Sequence, residues 1–193
     1  KFMNELLTNL IHQDGSDLHL GEGRKPALRI NGELIFLANE NPLSRDDMMG
    51  ALTAMIGAEK VKEFIATRDC DFAYTFGSDT RLRGNASFQR GMMCLTLRLI
   101  PKAKSFDELN LPPILQTFAT RKQGFFLVVG PVGQGKSTTL SALINLINKE
   151  RAAHIVTVEA PIEFVYAPDK SIVDQREVGV DTKDFTTALK AVL

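Results

Sequence analysis

Gly130-Pro131-Val132-Gly133-Gln134-Gly135-Lys136-Ser137 fits GxxxxGK[ST] at every fixed position. A string of this kind can hold phosphate. Its glycines let the chain turn into a concave nest, so that successive backbone N–H groups point at anionic oxygens. A helix starting at the lysine adds the positive end of its dipole. The lysine side chain reaches the β- and γ-phosphates of a nucleotide, and the serine hydroxyl suits Mg²⁺, a hard ion that prefers oxygen. The residues expected to contact nucleotide are Gly133, Gln134, Gly135, Lys136, Ser137 and Thr138, with Ser137 as the Mg²⁺ ligand. The bland alternative is a glycine-rich turn with an incidental lysine, and the flanking strand and helix patterns argue against it.

Phosphoryl chemistry also calls for acids. Val156-Thr157-Val158-Glu159 is an apolar run ending in a carboxylate, though it is the first strand after the loop helix and in many P-loop proteins the metal acid comes one strand later. Glu163 lies four residues on and could serve as general base on an attacking water. The plainer reading is that both glutamates cap a loop or pair with a base. Residues 80–106 contain no acid but carry Arg81, Arg83, Arg90, Arg98, Lys102 and Lys104. Arg81 and Arg83 are two apart and share a strand face. One reading is a solvated face paired with Asp69, Asp71 and Asp79. The other aims these guanidinium forks at phosphate, in the next subunit of a ring. His12, His19 and His154 are too scattered for an obvious metal site, and Cys70 and Cys94 lack CxxC spacing.

These residues need elements to position them. The spacing predicts a helix over 2–13 with Phe2, Leu6, Leu7, Leu10 and Ile11 on one face. Short strands follow at 18–20 and 27–30, then an Asn31-Gly32 hairpin turn and a strand over 33–37. Ser44 with Asp46 and Asp47 opens a helix to about 56, and a second helix covers 58–67. Alternation then gives strands over 72–76, 80–88 and 92–100, with a turn at Gly77-Ser78-Asp79. Pro101 to Ser105 is polar, and Pro112-Pro113 starts a short helix over 113–121. Phe125 to Val129 is a continuous apolar run, as expected for a strand buried on both faces. With the helix from Lys136 to about Asn148 and the strand His154–Glu159 it makes a βαβ unit. The expected class is α/β overall: a small α+β domain over 1–100, a linker over 101–112, and the N-terminal part of a P-loop domain over 113–193.

Composition narrows the function classes. The 193 residues hold 23 basic and 23 acidic side chains, so there is no basic excess of the kind nucleic-acid binders use. Hydrophobic residues make up 44% and charged residues 24%, which excludes a disordered or collagen-like chain. No apolar run is long enough to span a bilayer, and two unpatterned cysteines fit a cytoplasmic protein.

Taken together, the motifs resemble those of the type IV pilus retraction ATPases, the PilT-like branch of the secretion ATPases, over nearly the whole chain. The resemblance rests on Ser16-Asp17-Leu18-His19-Leu20 with Leu28-Arg29-Ile30-Asn31-Gly32, on Arg81-Leu82-Arg83-Gly84-Asn85, and on Leu97-Arg98-Leu99-Ile100-Pro101. It continues through the P-loop, Thr157-Val158-Glu159-Ala160-Pro161-Ile162-Glu163-Phe164 and Asp174-Gln175-Arg176-Glu177-Val178. It implies a PAS-like N-terminal domain, a flexible linker and an incomplete RecA-like domain. It also implies a homo-hexamer binding ATP and Mg²⁺ between subunits, at the cytoplasmic face of the inner membrane beside a pilus platform protein. Glu163 matches the family's catalytic glutamate, and Arg81, Arg83 and Arg98 match arginines that approach nucleotide. Ala160 departs from the family's aspartate and removes one carboxylate. The family's Walker B acid and histidine box are expected beyond Leu193, so this stretch alone is expected to turn over ATP weakly or not at all. The alternatives are a nucleotide-binding regulatory module with little turnover, and a pilus-extension or type II secretion ATPase.

Overall fold

The computed structural model describes residues 2–78 and 80–192. Asp79, expected in a turn and as an arginine partner, lies outside the described residues. The chain forms two compact units that meet in sequence between Ile100 and Pro101. No helix among the described residues is long and apolar enough to cross a membrane.

The first unit is a six-stranded antiparallel sheet with two helical segments. Helix α1 spans Phe2–His12, followed by strands β1 (Asp17–Gly21), β2 (Ala27–Ile30) and β3 (Glu33–Phe36). Helix α2 spans Arg45–Thr67, and β4 (Asp69–Phe76), β5 (Thr80–Gln89) and β6 (Met92–Leu99) complete the sheet in the order β3-β2-β1-β6-β5-β4. The β2–β3 hairpin pairs Ile30 with Glu33, and Asn31 and Gly32 take φ 50° and 86°, as their turn requires. The Ser44 side chain accepts from the Asp47 N–H and the Asp47 carboxylate accepts from the Ser44 N–H, which caps α2 at both positions. Gly57 (φ 81°, ψ 160°) breaks α2 into the two expected helices.

Alternation decides which face is covered. Leu18, Leu20, Leu28, Leu82, Met93, Leu95 and Leu97 point to one face and are buried against Leu6, Leu7 and Leu10 of α1 and Met48, Leu52 and Phe64 of α2. Each fully buried large side chain contributes about 1.5–3 kcal/mol. The intervening residues Asp17, Arg29, Arg83, Asn85 and Arg98 fall on the opposite face. Gly84 is opposite Phe72, and an added Cβ would meet the Phe72 ring at 2.2 Å. The glycine lets that ring lie flat on β5.

The second unit opens with a segment whose polar composition suggested a linker but which is packed into the unit. Phe106 is buried with Ala119, Ala142 and Leu143, and Val165 bonds Pro101 and Ala103 through its N–H and carbonyl. The helix expected over 113–121 is a 3₁₀ turn, Pro113–Leu115, followed by α3 (Gln116–Ala119). Helix α4 spans Lys136–Glu150, β7 His154–Glu159, β8 Ile172–Glu177 and α5 Phe185–Lys190. Residues 125–129 are not a strand, which corrects the sequence reading. Phe125 is 88% and Val129 78% exposed, and no described strand pairs with the run. An apolar run specifies a demand for burial but supplies no ladder partner. The parallel pair in this unit is β7 with β8, joined by a crossover without a helix. Sequence patterning left β8 undefined.

Candidate functional site

The phosphate loop leads directly into α4. Gly135 is the N-cap of α4, with φ 80° and ψ 15°, and its carbonyl accepts from the Thr139 N–H at 2.8 Å. A side chain at this left-handed position would be strained. No side chain caps the helix, so the N–H groups of its first turn, at Lys136, Ser137 and Thr138, remain available to an anion. Gly133 (φ 80°) and Gln134 lie in the exposed turn before it. Lys136 Nζ donates to the Pro131 carbonyl at 2.7 Å, so the ammonium already lies over the loop.

Beside this turn is a cavity of about 390 Å³, lined by Ser137, Thr157, Glu159, Ala160, Glu163 and Tyr166 among others. Ser137 comes from the first turn of α4, Thr157 and Glu159 from β7, and the remaining residues from the loop after β7. The fold thus brings Ser137 and both candidate glutamates to one site. Thr157 Oγ1 donates to Glu159 Oε1 at 2.6 Å and Gln175 Nε2 to the same oxygen at 3.1 Å, fixing that carboxylate. Burial pushes the Tyr166 phenol well up, and the nearby Glu159 charge adds to the shift. Glu163 is exposed, and among the described residues no hydrogen bond holds its carboxylate. The side chain of Ala160 adds no polar group to this lining.

The side-chain donors of this lining are oxygen only: the hydroxyls of Ser137, Ser141, Thr157 and Tyr166 and the carboxylates of Glu159 and Glu163. No group of three or more His, Cys, Asp or Glu residues able to hold a metal occurs among the described residues. Such a set fits a hard divalent ion that takes most of its ligands from phosphate and water, and it does not fit a protein-caged metal.

The three arginines lie on the first unit's sheet. Arg83 and Arg98 are register partners on β5 and β6, and Arg81 Nη1 donates to Thr75 at 3.3 Å. Asp69 and Asp71 both accept from Asn85 Nδ2, at 2.9 and 3.0 Å. Arg98 Nε instead bonds Asp17 at 2.8 Å, and Arg29 Nε lies 3.3 Å from the same carboxylate. Asp17, Arg29 and Gln175 stand in the quoted motifs, but only the fold shows which groups they bond. An acid opening an alternating strand was the available signal for Asp17. Gln175 lies in the Asp174-Gln175-Arg176-Glu177-Val178 motif, but its partners come from β7 and the loop that follows it, which the motif does not show.

The chain is 35% identical over 190 residues to the type IV pilus ATPase PilU of Pseudomonas aeruginosa, covering 98% of this chain and 50% of that one. It is 34% identical over 192 residues to PilT, the type IV pilus retraction ATPase of the same organism, covering 99% and 56%. The crystal structure of the pilus retraction motor PilT with bound ADP superimposes with a TM-score of 0.87 at 38% identity, covering 98% of this chain and 56% of that one. The chain therefore spans about half the length of these relatives. Residues 85–193, from β5 through the phosphate loop and β8, match one family throughout, and the chain belongs to the type II/IV secretion system proteins, as a PilT-like member.

Proposed function

We propose that the protein binds and hydrolyses ATP as a motor of type IV pilus retraction. The observation that carries this reading is the convergence of Ser137, Glu159 and Glu163 on one cavity beside the phosphate loop. The loop amides of residues 133–138 receive the phosphate oxygens. Lys136 exchanges its bond to the Pro131 carbonyl for β- and γ-phosphate oxygens. Ser137 offers its hydroxyl to Mg²⁺, which when bound neutralises phosphate charge. Glu163, unbonded and facing the cavity, takes the proton of the attacking water. Arg81, Arg83 and Arg98 offer their guanidinium charge to the γ-phosphate held by a neighbouring subunit of the ring.

In this reading the first unit is PAS-like, the second is the N-terminal part of a RecA-like domain, and six copies form a ring. Rotation of the two units about the passage at Ile100–Pro101 transmits hydrolysis to a pilus platform protein at the inner membrane. That PilT crystallised with ADP and that PilU and PilT are pilus ATPases supports this assignment. In the full-length protein, Lys136→Ala is expected to lower ATP turnover at least about 100-fold. Turnover equal to wild type overturns the mechanism.

A further inference from the structure

Two side chains of β8 reach the same stretch of loop. Gln175 and Glu177 are two apart and share a strand face. Gln175 Nε2 donates to the Phe164 carbonyl at 2.8 Å, and the Ile162 N–H donates to Glu177 Oε2 at 3.4 Å. Ile162 and Phe164 are the immediate neighbours of Glu163. The loop contains neither helix nor strand; further along it Val165 bridges to Lys102 and the Ala167 carbonyl accepts from Asn148 Nδ2 at 2.8 Å. Because the Glu163 carboxylate has no hydrogen bond of its own among the described residues, its placement is inherited from this clamped backbone.

Gln175 does more than tether the loop. Its amide has two N–H donors. One goes to the Phe164 carbonyl and the other to Glu159 Oε1, the oxygen that Thr157 also bonds. Thr157 and Gln175 are register partners across β7 and β8, so the parallel pairing sets this geometry. One primary amide therefore couples the end of β7 to the backbone that carries Glu163. Leucine is apolar and has neither donor. Asparagine, one methylene shorter, can reach one acceptor but not both.

We infer that Gln175 is a positioning residue that holds Glu163 at the γ-phosphate side of the cavity by bonding the Phe164 carbonyl and Glu159 together. The inference rests on the reading of Glu163 as the base for ATP hydrolysis. A displacement of about 1 Å in a reacting group can cost about 100-fold in rate. In the full-length protein, Gln175→Leu is expected to lower kcat about 10- to 100-fold. Affinity for a fluorescent ADP analogue should stay within about twofold, because the amide touches no residue of the phosphate loop. Gln175→Asn should fall between the two. In a Glu163→Gln background, Gln175→Leu should cost less than about twofold more, since there is no base left to misplace. Amide hydrogen exchange over residues 160–166 should quicken while α4 is unchanged. Wild-type kcat in Gln175→Leu, a full additional loss in the Glu163→Gln background, or unchanged exchange over 160–166 overturns the inference alone. A wild-type protein that turns over no ATP overturns the functional reading, and this inference with it.

Discussion

Asp17 is a carboxylate on a strand whose side chain is only 3% exposed, and Arg98 is its closest cationic partner. Arg98→Met keeps the aliphatic stem and removes the 2.8 Å charged hydrogen bond. Breaking a fully buried ion pair costs about 3–5 kcal/mol. Arg98 is 69% exposed, however, and Asp17 retains Arg29 at 3.3 Å and Ser16 at 2.8 Å. The loss is then nearer one charged hydrogen bond, about 1.5 kcal/mol. For a unit of about 100 residues that lowers Tm by about 6–12 °C. Scanning calorimetry of the transition belonging to the first unit reads it directly. A second arm uses pH. Burial on its own raises the Asp17 pKa, but the hydrogen bonds from Arg98 and Ser16 and the Arg98 charge reverse this and hold it below 3.8. A depressed pKa contributes stability that is complete above the unfolded value and is lost as pH falls through the folded one. The Tm gap between wild type and Arg98→Met should therefore be constant above about pH 5 and close below about pH 4. In an Asp17→Asn background Arg98→Met should cost less than about 0.5 kcal/mol. Equal Tm values at neutral pH, or a gap that persists in acid, would refute the reasoning. The outcome bears on function too, because an arginine that anchors the sheet loses stability and activity together when removed.

Two further outcomes concern the scaffold. Gly84→Val drives a branched side chain into the Phe72 ring, which is 6% exposed and has little room to yield, so the first unit should lose about 1–3 kcal/mol by denaturant titration. Ser44→Ala removes the side-chain half of the α2 cap and should cost about 1 kcal/mol, read as a lower urea midpoint at unchanged slope.

How much was legible depended on the range of the interaction. Strands β1 to β6 and both halves of α2 follow from alternation, turn residues and a capping serine, all local signals. The GxxxxGK[ST] string and the start of α4 at Lys136 were likewise visible, because the pattern spells out its glycines, lysine and hydroxyl in order. The run at 125–129 was misread for the opposite reason: its apolarity is local, but the neighbour that makes a strand is not. The polar stretch 101–112 looked like a free linker because composition cannot show that Phe106 is buried or that Val165 bonds Pro101 and Ala103.

The sequence by itself spelled out the GxxxxGK[ST] string and the existence and order of the strands of the first unit, though not their ends (β4 starts at Asp69, not Phe72), because pattern and alternation depend on neighbours a few positions apart. Tertiary structure alone decided the rest. It paired Arg98 with Asp17 across β1 and β6, 81 residues apart. It brought Gln175 of β8 against Glu159 and the Phe164 carbonyl, and left the Glu163 carboxylate open to the cavity. A carboxylate's role is set by what surrounds it, and those surroundings exist only once strands distant in the chain have paired.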